Sequence, residues 1–411
     1  MVPRSIFIFI HLIRDCILNT LSEISAYCEE LAFDLNFSFA KNWKSKSSDR
    51  VLVGHMPVYF PREIIHAANG LAVGIFGGGD KKLILKGDAY YQSYICHMPR
   101  SIMELVLDSH FEGFDGFIFP SICDVIRNLS GMFQLLEKGS FIKYLDLPQN
   151  FKSHIGGEFY IHELQTVLNS VYKINGVEVT PARLNHSISL FNRNRELIHR
   201  IYAIRQDFPW RMTAADVYNI VRAGYVIPVE DHNAILEQVI ALVSEENGEP
   251  LDKIRVLVMG AFCEQPPLGL IRTIEMAGCY ITEDDFLLGS RWIMGNIDTS
   301  TADPMKALTD AYLEKSTFSS SVYDVGNPKE ARLLELIKSR NVDGVIFAAP
   351  SFCDPALLDH PILQKMCNDR NIRFISFLYS ENTGQFKVIK EQVGTFSDSI
   401  KLWEEPLQVK K

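Results

Sequence analysis

Eight short apolar runs limit most tightly what this chain can fold into. "VLVG" (51–54), "LAVGIFG" (71–77), "GFIFPS" (116–121) and "FIKYLDL" (141–147) lie in the first half. "IRVLVMG" (254–260), "CYIT" (279–282), "GVIFAAP" (344–350) and "RFISFLYS" (373–380) lie in the second. Continuous apolar runs bounded by Gly and Pro are the pattern of parallel strands covered on both faces. Between them, "PREIIHAAN" (61–69), "RSIMELVL" (100–107) and "EARLLELIKS" (330–339) carry helical spacing. The alternation predicts an α/β fold built on parallel sheets.

The halves repeat one another. "DGFIFPSICDVIRN" (115–128) returns as "DGVIFAAPSFCDPALL" (343–358), and residues 51–73 align loosely with 256–281. The expectation is two similar doubly wound parallel-sheet domains of flavodoxin-like type. The divisions are an N-terminal helical segment (1–50), a first α/β domain (51–165), a helical connecting region (166–250) and a second α/β domain (251–411). Two domains also suit a length of 411 residues. In the connection, "FPWRMTAADVYNIV" predicts a helix start with Thr213 as N-cap and Asp216 three residues on.

Charge narrows the partners. A net charge of −9 with no basic stripe argues against nucleic acid or an anionic membrane surface. The apolar N-terminal run from Ser5 to Ile13 stops at Arg14 and Asp15. That is well short of the ~20 residues a membrane span needs. The following "RDCILNTLSE" lacks a small-residue cleavage site. The run is therefore expected to be an amphipathic helix, and the chain cytoplasmic. No G-x-x-x-x-G-K-[ST] loop is present, so the sequence offers no P-loop for a nucleotide. "GIFGGGDKK" (74–82) reads as a strand-to-loop turn rather than a phosphate cradle.

The eight cysteines, at 16, 28, 96, 123, 263, 279, 353 and 367, include no Cys-x-x-Cys pair. A zinc knuckle is not indicated, and a cytoplasmic setting disfavours disulfides. Cys16, Cys28, Cys279 and Cys367 are expected to be buried and inert. Cys123 and Cys353 differ, because each stands between an apolar strand and a helical stretch in the repeated unit. Ligands of open parallel sheets bind beyond the carboxyl ends of the strands. If the two units face each other, both thiols look into one interdomain cleft from helix N-termini, which favour thiolates.

From about residue 50 to near 400 the chain resembles the family that joins 2-hydroxyacyl-CoA dehydratases with ATP-dependent benzoyl-CoA reductases. The resemblance rests on "GHMPVYFPREIIHAANGLAVGI", "YICHMPRSIMELVL", "DGFIFPSICDVIRNLSGMF", "DLPQN", "VLVMGAFCEQP" and "DGVIFAAPSFCDP". "PVYFPREIIHAA", "GGGD" and "KGDAYYQSYICHMPRS" look most like the gamma-type subunit of the class I benzoyl-CoA reductases. The chain departs from the family in two places. Pro57 stands where many relatives carry a cysteine, and Phe396 where an arginine is common.

The resemblance implies an iron–sulfur cluster ligated by Cys96, Cys123 and Cys353, a [4Fe-4S] cubane in the first instance and a double cubane as the alternative. Three protein ligands leave one iron of a cubane open. It further implies an oxygen-sensitive enzyme that delivers single electrons to the aromatic ring of an aryl-CoA, yielding a cyclohexadienoyl-CoA. The implied partners are a homologous cluster-bearing subunit, an ATPase pair that activates electrons, and reduced ferredoxin. Of His55, His66 and His97 in the matched blocks, His97 is the candidate proton donor or hydrogen-bond partner of cluster sulfur. Asp124 and Asp354 are expected to cap the helices behind the cysteines. Arg100 is read either as a CoA-phosphate contact or as a surface or interhelical residue. Two other readings stand beside this one. The first is a 2-hydroxyacyl-CoA dehydratase subunit; the second is a metal-free binding module with structural cysteines.

Overall fold

The computed structural model describes residues 18–56, 59–245, 248–260, 266–286, 293–316, 326, 328–380 and 385–402. The apolar run from Ser5 to Ile13, Cys16, Pro57 and Cys263 lie outside them. In chain order the first half comprises α1 (Leu21–Ala32), α2 (Ser38–Ser45), β1 (Val51–His55), α3 (Arg62–Ala67), β2 (Gly70–Gly74), α4 (His97–Leu107), β3 (Gly116–Pro120), α5 (Asp124–Leu136) and β4 (Phe141–Leu145). Four helices follow: α6 (Glu158–Asn175), α7 (Pro181–Asp207), α8 (Ala214–Ala223) and α9 (Val229–Glu245). The second half comprises β5 (Ile254–Met259), α10 (Leu268–Met276), β6 (Cys279–Asp284), α11 (Pro304–Lys315), α12 (Lys329–Ser339), β7 (Gly344–Pro350), α13 (Asp354–Asp369), β8 (Phe374–Tyr379) and α14 (Phe386–Leu402).

All eight apolar runs are strands. They form two four-stranded, all-parallel sheets with orders β2-β1-β3-β4 and β6-β5-β7-β8, the same order twice. The inner strands β1, β3 and β7 are buried along their whole length, as helices on both faces require.

The repeated Asp-Gly has one physical cause in both sheets. Asp115 accepts the N–H of Leu52 at 2.7 Å and its own N–H donates to Leu52 O at 2.8 Å. Asp343 does the same with Arg255, at 2.7 and 2.8 Å. Each aspartate thus fixes the register where the central strands begin to pair. The glycine that follows lies under an aromatic ring. A Cβ on Gly116 would sit 2.1 Å from the Phe141 ring, and one on Gly344 would sit 2.6 Å from that of Phe396. Phe396, the departure from the family's arginine, therefore packs over the start of β7.

The connecting helices form as expected, and Thr213 and Asp216 make the reciprocal capping box. Among them, α7 pins both sheets with buried ion pairs. Arg195 meets Glu63 on α3 at 2.8 Å, and Arg205 meets Asp284 at the end of β6 at 2.8 Å. Burial would lower the Arg205 pKa, but Asp284 reverses this and raises it. A second tie is aromatic. Tyr160 Oη donates to Tyr59 O at 2.7 Å, and the Tyr312 ring lies 4.6 Å from that of Tyr160 and 5.8 Å from that of Tyr59. The glycine-rich "GIFGGGDKK" is a turn, as expected, with Gly77 and Gly79 at positive φ. Among the described residues, no helix is long and apolar enough to cross a membrane.

Candidate functional site at the carboxyl ends of the sheets

In each sheet the order reverses between the two central strands, β1 and β3 or β5 and β7, and such switch points open a crevice beyond the carboxyl ends. The two Cys-Asp units stand there. Cys123 is the N-cap of α5 just past β3, and Cys353 is the N-cap of α13 just past β7. Their approaches match: Ser121 N donates to Leu145 O at 2.9 Å, and Ser351 N donates to Tyr379 O at 2.7 Å. Cys96 is the N-cap of α4. Cys96 and Cys353 are buried and Cys123 is half-buried. The cysteines themselves hold the N-cap positions, so Asp124 and Asp354 do not cap. They lie one residue inside, where a carboxylate favours the helix dipole.

Cys123 and Cys353, 230 residues apart in sequence, lie near enough that ionisation of one would oppose ionisation of the other. Burial raises the pKa of Cys123, the N–H groups of Ile126 and Val125 oppose that, and Cys353 adds to the rise. Burial wins, against the expectation that the helix N-terminus alone would favour the thiolate. A metal would supply the missing driving force by displacing the proton. The third cysteine is linked through Tyr91, whose phenol feels both Cys96 and Cys123.

The loop carrying Tyr91 and Cys96 is held by Glu104 on α4. Glu104 Oε2 accepts the N–H groups of Leu85, Lys86 and Gly87 at 2.8, 2.7 and 2.8 Å. Burial pushes the Glu104 carboxyl up, but the three N–H groups outweigh it and hold the pKa below the usual range. Ser101, on the same helix, accepts Gly78 N at 2.7 Å. One buried helix face thus sets the path of the chain from the glycine turn to Cys96.

Of the histidines, His97 is the first residue of α4, half-buried, directly after Cys96. His55 ends β1, buried; its Nδ1 lies 2.9 Å from Met56 O, and its Nε2 has no partner among the described residues. Burial and then Arg62 lower its pKa to about 3, so the ring is neutral. His66 is engaged elsewhere, with Ser187 at 3.0 Å and Glu230 at 3.1 Å. Arg100 pairs with the half-exposed Asp88 at 2.8 Å. A cavity of about 220 Å³ lies at the amino ends of β1 and β2, among Lys46, Arg50, His66, Glu230 and Asp231. It includes none of the three cysteines.

The six described cysteines present thiols rather than disulfides. Burial pushes Cys28 and Cys279 up to about 12 and Cys367 up to about 11, the behaviour of inert core residues. Among the described residues, no three His, Cys, Asp or Glu side chains converge tightly enough for a single metal ion. The thiolates of a cubane bind separate corners and stand farther apart than the ligands of one ion. Three thiols at three helix N-termini are the donor type that such a group takes. Sequence reasoning missed Tyr91 and Glu104; nothing in the spacing of "KGDAYYQSYICHMPRS" separates a buried tyrosine from its exposed neighbours.

Comparison with characterised proteins places the chain in a family. The chain is 46% identical over 383 residues to a subunit of the benzoyl-CoA reductase of Thauera aromatica, covering 93% of this chain and 99% of that one. It is 24% identical over 348 residues to the beta subunit of lactoyl-CoA dehydratase of Anaerotignum propionicum, covering 85% and 91%. It is 23% identical over 361 residues to the beta subunit of (R)-2-hydroxyglutaryl-CoA dehydratase of Acidaminococcus fermentans, covering 87% and 94%. Matched from residue 57 to 400, the chain belongs to the family described as 2-hydroxyglutaryl-CoA dehydratase, D-component.

Proposed function

We propose that this chain is a subunit of an oxygen-sensitive, ATP-dependent benzoyl-CoA reductase, and that Cys96, Cys123 and Cys353 hold an iron–sulfur cluster in it. One observation carries the choice of reductase: the likeness to the Thauera reductase subunit is about twice that to the dehydratase subunits and spans nearly the whole of both chains. The cluster reading is supported by the buried thiols that two distant repeats and a clamped loop contribute to one region.

When bound, such a cluster would supply low-potential single electrons. The chain's own residues prepare its place. The three thiols would lose their protons on becoming ligands, and the N–H groups of Val125 and Ile126 would favour the charged form of Cys123. Burial keeps water from the region and lowers the local dielectric, which strengthens stabilisation of a ring that takes up an electron. His97, next to a ligand, is the candidate hydrogen-bond partner of cluster sulfur or proton donor. A homologous subunit, an ATPase pair and reduced ferredoxin complete the cytoplasmic assembly.

The family description itself favours a second reading, a 2-hydroxyacyl-CoA dehydratase subunit that uses an electron without net reduction. Anaerobic assay of the complete complex with ATP and a low-potential reductant separates them. The reductase reading expects benzoyl-CoA to be converted to a cyclohexadienoyl-CoA. Dehydration of a 2-hydroxyacyl-CoA with benzoyl-CoA untouched would contradict it.

A further inference from the structure

Tyr91 is a buried group whose hydroxyl has been given no role so far. Its side chain is 8% exposed, while Tyr90 and Tyr94 on the same loop are 42% and 63% exposed. Its hydroxyl has no hydrogen-bond partner among the described residues. Burying an unsatisfied hydroxyl is costly, and phenylalanine at this position would avoid that cost. An orphan of this kind calls for an acceptor that the described residues do not provide.

The surroundings identify the acceptor. Tyr91 precedes Cys96 on the loop that Glu104 holds in place, and it stands close enough to both Cys96 and Cys123 for their charges to act on it. The thiols of those two cysteines are the groups that would hold an iron–sulfur cluster beside the phenol. A phenol carries its proton at neutral pH and can donate it to a sulfur acceptor.

We propose that Tyr91 is a positioning residue whose hydroxyl donates a hydrogen bond to a sulfur of the iron–sulfur group held by Cys96, Cys123 and Cys353. This rests on the cysteine reading above. The bond tunes the group rather than holding it. An added electron puts negative charge on the sulfurs, a donor stabilises that charge, and the reduced state is favoured. The phenol also satisfies its own buried hydroxyl only when the group is in place.

Y91F removes the O–H and little else. It is tested in the complete complex, produced and purified without oxygen, by iron and acid-labile sulfide per chain, by redox titration, and by exchangeable-proton couplings to the reduced cluster in H2O and D2O. The expected result is undiminished iron, a midpoint potential shifted to more negative values, and loss of one exchangeable-proton coupling. Undiminished iron with either spectroscopic readout unchanged would overturn the assignment. Loss of iron from folded Y91F would make the hydroxyl a ligand and overturn it as well. Iron-free wild type would bring down the cysteine reading and this one together, and that failure is visible before any variant is compared.

Discussion

The two Cys-Asp loops are built alike and presented differently. Pro120-Ser121-Ile122-Cys123 and Pro350-Ser351-Phe352-Cys353 leave equivalent strands, pair Pro120 with Leu145 and Pro350 with Tyr379, and end as N-caps. Ile122 is 1% exposed, whereas Phe352 is 51% exposed and adopts a φ of 66°. A bulky residue in the left-handed region is strained, and such strain persists where the surroundings over-determine it. The cysteines invert this pattern. Cys353, behind the exposed phenylalanine, is buried, and Cys123, behind the buried isoleucine, is half-buried. The repeat therefore specifies where a thiol stands, while the residue before it specifies what that thiol's surface meets. The outer strands differ in the same sense, β8 exposing Leu378 while β4 ends on the buried Leu145.

The two halves also differ in how α7 grips them, and that difference can be broken. The Arg205–Asp284 pair is 1% exposed on both sides, whereas Arg195 of the Arg195–Glu63 pair is 10% exposed. Removing one partner of a fully buried pair strands the other charge and costs about 3–5 kcal/mol. Arg205→Ala is expected to lose an amount of this order in chemical denaturation, and Arg195→Ala distinctly less. Equal losses would mean that solvent reaches the two pairs alike.

A smaller effect sharpens the comparison of the sheets. Asp115 and Asp343 make the same two backbone bonds at the same place in the two repeats. Replacing either by alanine leaves a strand N–H without its acceptor, at about 1–3 kcal/mol. Asp115→Ala is expected to cost more, because its partner Leu52 is buried while Arg255 is half-buried, and because Asp115 also pairs with Lys44 at 2.6 Å. Denaturation midpoints of the two variants check the order.

These cases mark what was legible in the chain. Apolar runs, the repeat and the Thr213–Asp216 box are local patterns, and each formed the element that its spacing predicted. The purpose of Asp-Gly was not legible, since Asp115 and Asp343 find their partners 63 and 88 residues away. The same holds for the helix caps. The pattern pointed to Asp124 and Asp354, but the backbone leaves the strand one residue earlier and gives the position to cysteine. Tyr90 and Tyr91 are identical letters whose burial is decided by a carboxylate on a following helix.

The most direct test of the account is iron and acid-labile sulfide per chain, measured on the anaerobically purified complex for wild type, Cys123→Ala and Cys353→Ala. The account predicts iron in the wild type and its loss in both variants, one from each repeat, with the complex still assembled. Iron retained in both variants, or absent from correctly assembled wild type, would contradict it.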